Sequence, residues 1–315
     1  MWPIVRRFGL LALGVVALWL LSILVLNLTL FSAGGFVMSY MRALEAGNYT
    51  LAASRAGLNE KPAVEPLSGE FLRDTHVINT GSLSSGEIVV QVEYELGGET
   101  GQSLFVLREG DPVLGFFTTW RFEQEPTATL ELAILGDTRV SVNDSAIDIT
   151  RLGVPPRTTV LVPGLYEAFL ATEWVEAEPV AASVTEPGSV ERLRLVLSPS
   201  MKLEDTTTTA LEDFLDDCAD QGVLQPASCP FGVTIDDRVI GTPDWTILDY
   251  PDVALSLSAD RSSWAVSGKN GVAEVSVQVQ SLFDGTIEEY TDVVRFDVFG
   301  VVTGTARDEP VLNLY

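Results

Sequence analysis

The first forty residues contain a long, uninterrupted run of apolar side chains. No charged residue occurs between residues 8 and 41, and the most apolar part runs from Phe8 to Phe31. A helix needs about 20 such residues to cross the hydrocarbon core of a bilayer. Since backbone groups in lipid must be paired within the segment, the pattern predicts a transmembrane helix over residues 8–32 that contacts the lipid bilayer.

The charges beside this run predict its orientation. Arg6 and Arg7 precede it, whereas Arg42 is the nearest basic residue on the other side. The positive-inside rule then predicts a single-pass protein of the cell membrane, with residues 1–7 cytoplasmic and the body extracytoplasmic. A cleaved signal peptide is the alternative, because Ser32 to Gly34 are small, but its apolar region is usually about 7–15 residues long.

Residues 36–125 change from a helical to a strand period. Apolar positions at helical spacing predict a helix over residues 36–58 that is broken at Gly47 and Asn48. Apolar and polar residues then alternate over residues 87–96, which is typical of a half-buried strand. Further strands follow, separated by turns predicted at 97–101 and 109–112. We expect an α+β domain over 36–125.

The rest of the chain predicts two more modules. Residues 126–200 contain short strand-like runs, one of them at 146–152, separated by turn signals such as Pro163-Gly164, which favours a small all-β module. In residues 205–315, the pattern Thr209 to Glu212 resembles a capping box at a helix start, and strands follow. The fold class is therefore α+β and β-rich: a transmembrane helix, then α+β cone-like, all-β and α+β modules.

Cys218 and Cys229 are the two cysteines of the chain. An even number of cysteines in an exported body predicts one disulfide, since thiols oxidise in such compartments. Two buried free thiols are the alternative. A zinc site is disfavoured because zinc normally takes four ligands and the single histidine, His76, is far away in sequence.

The net charge of the chain excludes some classes of partner. The chain has 19 basic and 44 acidic residues. Because Arg6 and Arg7 are the only charges before Arg42, the body alone carries a net charge of −27. Such a body repels phosphate backbones and anionic headgroups, which argues against nucleic-acid binding. The three lysines against sixteen arginines are typical of a GC-rich, actinobacterial-type coding sequence.

The sequence contains no motif that predicts an enzyme. Gly-x-Ser-x-Gly, Ser-x-x-Lys, His-Glu-x-x-His and phosphate-loop patterns do not occur, and the acidic pairs lack the spacing of a calcium loop. We therefore predict no catalytic residue, no metal and no cofactor. Aromatic residues are the remaining candidates: Tyr94, Phe116 and Trp120 could line a ligand pocket, and Trp245 is predicted to be half-exposed on a binding surface.

Two segments resemble known families. The helix at 36–47 resembles the first helix of nuclear transport factor 2-like domains, through Val37, Tyr40, Ala43, Leu44 and Gly47. That resemblance implies a cone which can hold a ligand. The middle segment resembles PEGA-type modules of bacterial envelope proteins. The matching residues there are Val140, Val142, Asn143, Pro163, Gly164 and Tyr166. The order of parts is similar to teicoplanin-resistance-associated membrane proteins.

These observations favour a non-enzymatic envelope protein that binds another protein or a cell-envelope component. The alternative is a sensor that holds a small apolar ligand inside an α+β cone. An enzyme acting on the cell wall would need a cleft that gathers acidic residues around His76. A pocket lined by Tyr94, Phe116 and Trp120 would favour the sensor, whereas flat strand edges and exposed aromatic residues would favour the binding protein.

Overall fold

The computed structural model describes residues 2–67, 71–134, 137, 139–148, 155–259 and 261–315. The chain begins with three helices: α1 (Trp2–Leu28), α2 (Ala33–Glu45) and α3 (Tyr49–Ala56). Where side chains are described, no single helix is long and apolar enough by itself to cross a membrane. Leu13–Leu28 and Ala33–Glu45 meet that test together, but they are bent by 58° at the break between them.

The first domain packs α2 and α3 against a four-stranded antiparallel sheet. Its strands, in spatial order, are β1 (Leu72–Ser82), β2 (Ile88–Leu96), β3 (Glu99–Val113) and β4 (Phe117–Phe122). The helical and alternating patterns are confirmed, because the predicted face of α2 and alternate residues of β2 are buried in one core. Ser32 and Asn48 cap the two helices with their side-chain oxygens.

The turn predicted at 109–112 is wrong. Strand β3 continues through these residues with an irregularity between Gly110 and Val113, and such a bulge tolerates Pro112, which has no backbone N–H to donate. The chain instead reverses at Leu114 and Gly115, both of which adopt positive φ. The β3–β4 hairpin is therefore longer than the sequence indicates, and its tip is apolar.

The middle module consists of two sheets around one core, as the predicted run of short strands indicates. One sheet contains β6 (Arg139–Val142), β7 (Ser145–Asp148), β9 (Gly164–Ala171), β10 (Val175–Val184) and β12 (Leu197–Pro199). The other contains β5 (Thr127–Ala133), β8 (Arg157–Leu161) and β11 (Val190–Arg194). The end of the run predicted at 146–152, residues 149–152, lies outside the described residues.

The third domain packs one long helix against a five-stranded antiparallel sheet. The helix is α4 (Met201–Ala219), and the strands are β13 (Arg238–Asp249), β14 (Asp252–Leu257), β15 (Trp264–Gln280), β16 (Ile287–Thr303) and β17 (Val311–Leu314). A short 3-10 turn, Thr305–Arg307, precedes the last strand.

The predicted helix start at Thr209 is wrong, because α4 begins eight residues earlier. Ser200 is its cap, and its hydroxyl accepts a hydrogen bond from the backbone N–H of Leu203 at 3.2 Å. Leu203 and Thr207 extend the buried face of Leu211 and Leu215 by two more turns. The four consecutive threonines at 206–209 have modest helix propensity, so the earlier start is not visible in the sequence. Burial of this face outweighs that low propensity.

Each part of the chain has its own core, and some residues of one part pack into the core of its neighbour. Trp264, Val266 and Val302 belong to the third domain but pack into the core of the middle module. On the other side, Tyr40 of α2 donates its hydroxyl hydrogen bond to the carbonyl of Val162 at 2.6 Å and lies 3.3 Å from that of Pro126. Burial of this tyrosine raises its pKa above the ordinary value. These contacts across the boundaries stabilise the three parts together.

Replacing Tyr40→Phe should weaken the join between the first domain and the middle module. The ring would remain in place, but the buried carbonyl of Val162 would lose the tyrosine donor, which costs about 1–3 kcal/mol of unfolding free energy. The carbonyl of Pro126 would keep a donor, the backbone N–H of Val162 at 2.9 Å. Chemical unfolding of the full chain in detergent would measure the change. Tyr315→Phe is the matched control, because Tyr315 is 83% exposed, and equal losses in both variants would contradict the proposed role.

Candidate functional site

The structure places the three predicted pocket residues in different surroundings: Tyr94 lies in a core, Phe116 packs against α1, and Trp120 lines a groove. Tyr94 is fully buried, its hydroxyl is 2.6 Å from Ser103 Oγ, and burial raises its pKa to about 12. The core between α2 and the sheet contains Tyr40, Phe105 and Phe122, whose rings pack edge to face with centroids 5.4–6.1 Å apart. Aromatic packing rather than a cavity occupies this part of the expected cone.

The expectation that Trp245 is half-exposed is also wrong. This residue is only 5% exposed, its indole N–H donates to the carbonyl of Val223 at 2.8 Å, and its ring lies 4.9 Å from that of Phe231. It fills the core between α4 and the third sheet, so it does not offer a binding surface. Trp264 is buried as well.

The disulfide prediction is confirmed. Cys218 and Cys229 are bonded, with their Cα atoms 5.8 Å apart. Cys218 lies on the buried face of α4, and Cys229 lies in the loop that follows the helix. The bond ties this loop to the end of α4, so its role is structural.

His76 lies on the exposed outer side of β1 and is not part of a cleft. Its Nε2 is 3.4 Å from a carboxylate oxygen of Glu93, and its Nδ1 is 2.9 Å from the carbonyl oxygen of Asp74. Within the described residues, no three His, Cys, Asp or Glu side chains are placed to hold a metal ion. The single acidic neighbour and the exposure of the ring are typical of a surface ion pair.

The β3–β4 hairpin packs directly against the last turns of α1. Asn27, a polar residue in the apolar run, donates from Nδ2 to the carbonyl of Phe116 at 2.7 Å and accepts from the N–H of Thr118 at 3.2 Å. The ring of Phe116 meets that of Trp19 edge to face at 5.3 Å. Since Trp19 and Asn27 are separated by eight residues, the hairpin follows α1 for about 12 Å.

The tip of this hairpin and the surface of α1 are both apolar and uncovered. Leu114 is 78% exposed and Phe116 is 52% exposed, with Val113 beside them. Along α1, the large apolar side chains from Leu13 to Leu28 are mostly exposed as well. On a body with a net charge of −27, a contiguous exposed apolar patch marks a site that is covered by another molecule or by lipid.

A groove opens where the chain leaves α1. It has a volume of about 430 Å³ and lies between the end of α1, helix α2 and strand β4. Its lining residues are Leu30, Phe31, Gly35, Phe36, Ser39, Arg42, Arg55, Val113, Thr118, Thr119 and Trp120. The indole N–H of Trp120 donates to the carbonyl of Phe31 at 2.8 Å, which holds this aromatic wall against the end of the apolar run.

A second groove continues the first one along α3. The two share Phe36, Arg55 and Trp120, and the second adds Arg121 together with one acidic residue, Glu125. We call the combined surface the arginine groove, defined by Phe36, Arg42, Arg55, Trp120 and Arg121. Arg42 and Arg55 each stand in the last turn of a helix, where the helix dipole favours a cation.

Sequence reasoning identified Trp120 but missed its partners. Asn27 was a visible signal, because a polar residue inside an apolar run requires a partner. Arg42 and Arg55 were visible as basic residues in a largely acidic chain, but they are 13 positions apart, and only the packing of α2 against α3 brings them to one groove. Several other cavities exist, including one beside Arg139 and Asp308 and one beside the disulfide.

Comparison with known proteins gives no match. Neither a protein-family model, a curated protein nor a solved structure is similar to the chain. The resemblances to nuclear transport factor 2-like domains and to PEGA-type modules therefore stay predictions, and the function is argued from the geometry.

Proposed function

We propose that the chain is a single-pass membrane protein whose extracytoplasmic body binds a component of the cell envelope without catalysing a reaction. The observation that carries this proposal is the joint apolar surface of α1 and the β3–β4 hairpin. α1 contains 27 residues, so it is about 40 Å long. That length is enough to cross the hydrocarbon core of a bilayer, which is about 30 Å thick.

The bend between α1 and α2 supports α1 alone as the anchor. One face of α2, including Val37 and Tyr40, is buried in the core of the first domain. That helix therefore belongs to the body, whereas α1 has apolar side chains exposed around its circumference. A helix that is apolar on all sides requires an apolar environment, and the bilayer supplies it. The anchor then ends near Asn27, where the body begins to pack against it.

The hairpin tip extends the membrane contact. Because Phe116 packs beside Trp19, eight residues before Asn27, Leu114 and Phe116 lie at the depth of the acyl chains when α1 spans the bilayer. The charged residues of the hairpin begin farther out, at Asp111 on one strand and Arg121 on the other. This ordering supports a body that rests on the membrane through a second, shallow insertion.

Two features support a binding role for the body: the arginine groove, and the filled core of the first domain. Tyr40, Phe105 and Phe122 occupy the space that a sensor would need for a ligand, so the geometry favours the envelope-binding protein over the small-ligand sensor. The groove beside the anchor is open, combines aromatic and cationic side chains, and faces the region where the bilayer surface would lie.

Maleimide labelling in spheroplasts tests the topology. Both native cysteines are in the disulfide, so an introduced cysteine is the one free thiol. We expect Phe283→Cys, at a position that is 98% exposed, to react with a membrane-impermeant maleimide in intact spheroplasts. Leu114→Cys should react only after detergent is added, because lipid covers the hairpin tip.

Each variant has an outcome that contradicts the proposal. Labelling of Phe283→Cys only after lysis would place the body in the cytoplasm. Labelling of Leu114→Cys in intact spheroplasts would show that the tip does not reach the lipid. Mass spectrometry of the purified full chain should also find the residues before Ala33, and a new N-terminus near Gly34 would show that the anchor is cleaved.

A further inference from the structure

The arginine groove concentrates positive charge on an otherwise acidic body. Within the described ranges, Arg42, Arg55 and Arg121 form no ion pair, unlike Arg73, Arg108, Arg139, Arg157 and Arg192, which contact carboxylates. Arg194, Arg238, Arg261, Arg295 and Arg307 are also without an ion pair there, but they do not line the groove. The first part of the groove contains no acidic residue, and Glu125 is the acid that lines the second part. The groove is therefore a local exception to the repulsion of anions that the net charge predicts.

The apolar wall of the groove begins at the anchor. Leu30 and Phe31 directly follow α1, and Phe36 and Trp120 continue the wall toward Arg55. Tryptophan is favoured at membrane interfaces, where its ring can contact acyl chains while its N–H is hydrogen-bonded. A ligand in this groove would thus meet apolar side chains on the bilayer side and guanidinium groups above them, the same order of chemistry as in a phospholipid.

Resting on the membrane attachment proposed above, we infer that the groove holds one anionic glycerophospholipid of the adjacent leaflet. Its phosphate lies between Arg42 and Arg55, since guanidinium groups bind phosphate in bidentate fashion. Its first acyl carbons contact Phe36 and Trp120. The groove volume of about 430 Å³ suits a headgroup and falls in the usual range for small-molecule sites.

This lipid would have a mechanical consequence. The acidic body is repelled by an anionic membrane surface, and this repulsion would tilt the body away from the bilayer about its contacts with α1 and the hairpin tip. A lipid held by Arg42 and Arg55 provides an attachment beside α1 that counteracts this repulsion. The body would then keep one orientation, with the arginine groove against the bilayer and the third domain away from it.

Native mass spectrometry of the full-length chain in non-ionic detergent tests the inference. Phosphatidylglycerol and phosphatidylcholine are added separately, and the fraction of lipid-bound protein is followed with lipid concentration. We expect phosphatidylglycerol to bind at least about tenfold more tightly than phosphatidylcholine. Phosphatidylglycerol has a net negative charge, whereas the choline cation of phosphatidylcholine neutralises its phosphate. The variant R42Q/R55Q should lose about tenfold or more of that affinity.

Two control variants separate the site from general charge and from folding. R295Q/R307Q removes the same charge from exposed positions in the third domain and should change the affinity by less than about twofold. R42K/R55K keeps the charge but loses the bidentate geometry, so its affinity should lie between those of the wild type and R42Q/R55Q. R42K/R55K also keeps a cation at each helix end, so its lipid affinity tests the role of the groove even when R42Q/R55Q folds poorly.

Several results would overturn the inference. Equal binding of both lipids, unchanged binding by R42Q/R55Q, or equal losses in R295Q/R307Q would each show that the groove does not select an anionic lipid. Displacement of the bound lipid by excess inorganic phosphate would identify a soluble phosphate as the occupant instead. A chain that passes the maleimide test but shows no preference for phosphatidylglycerol would refute this inference alone, whereas cytoplasmic labelling of Phe283→Cys would refute the proposed function.

Discussion

Replacing Arg139→Met should destabilise the chain by about 3–5 kcal/mol of unfolding free energy, the usual cost of leaving one member of a buried ion pair alone. Asp137 is fully buried, and Arg139 contacts both of its carboxylate oxygens, at 3.0 and 2.8 Å. The hydrogen bond to Asp137 also raises the pKa of Arg139. Among the residues that the structure describes, the donor left to the carboxylate of Asp137 in the variant is the backbone N–H of residue 139, at 2.8 Å.

The same arginine joins the middle module to the third domain, which allows a matched control. Its Nη1 lies 2.9 Å from both carboxylate oxygens of Asp308, a residue whose side chain is 52% exposed. Asp308→Asn should therefore cost no more than about 1 kcal/mol, as solvent screens exposed pairs. Denaturant unfolding of the full chain in detergent would compare the two variants.

A double variant completes the test. Asp137→Asn/Arg139→Met removes the buried, unpaired negative charge of Asp137, so the double variant should be more stable than Arg139→Met alone. Equal stability of the single and double variants, or equal losses in Arg139→Met and Asp308→Asn, would show that burial of Asp137 is not what makes Arg139 important.

Removal of the disulfide is the second change with a large expected effect. The bond between Cys218 and Cys229 closes a loop with a sequence separation of 11 residues, which is worth roughly 3 kcal/mol in the chain-entropy treatment. The double variant C218A/C229A should therefore unfold at lower denaturant concentration than the wild type. The loss should be concentrated in the third domain, since the loop packs against Phe231 and Trp245 there.

Chemical reduction supplies the control for this variant. A reductant should destabilise the wild type by a similar amount and leave C218A/C229A unchanged, because only the wild type has a bond to lose. Alkylation of the denatured wild type without reductant should label neither cysteine. Labelling of both cysteines in protein taken from its native compartment would contradict the bond.

Much of the architecture is encoded in local patterns. Alternation over residues 87–96 identifies β2 and its buried face, and helical spacing in residues 36–47 identifies α2, because a single face of each element must be covered by the core. The apolar run at the N-terminus and the two cysteines are likewise readable without a structure. These features depend on residues close together in the chain, which is why the sequence alone predicts them.

Elements whose stability comes from distant contacts were not readable in this way. Helix α4 begins at Met201 because Leu203 and Thr207 find a buried face, and β3 passes through Asp111 and Pro112 because β4 pairs with it on both sides of the bulge. Local propensity favoured a later helix start in the first segment and a turn in the second, and tertiary packing outweighed it in both.

The sequence by itself determined the β-rich fold class, the apolar N-terminal run, the acidic body and the disulfide. Only the tertiary structure decided which aromatic residues are accessible, because burial depends on what packs over a side chain: Tyr94 and Trp245 lie in cores, while Phe116 and Trp120 lie beside α1. It also decided the candidate site. Arg42, Arg55 and Arg121 belong to two helices and a strand, and they form one groove only because these elements pack together at the end of α1.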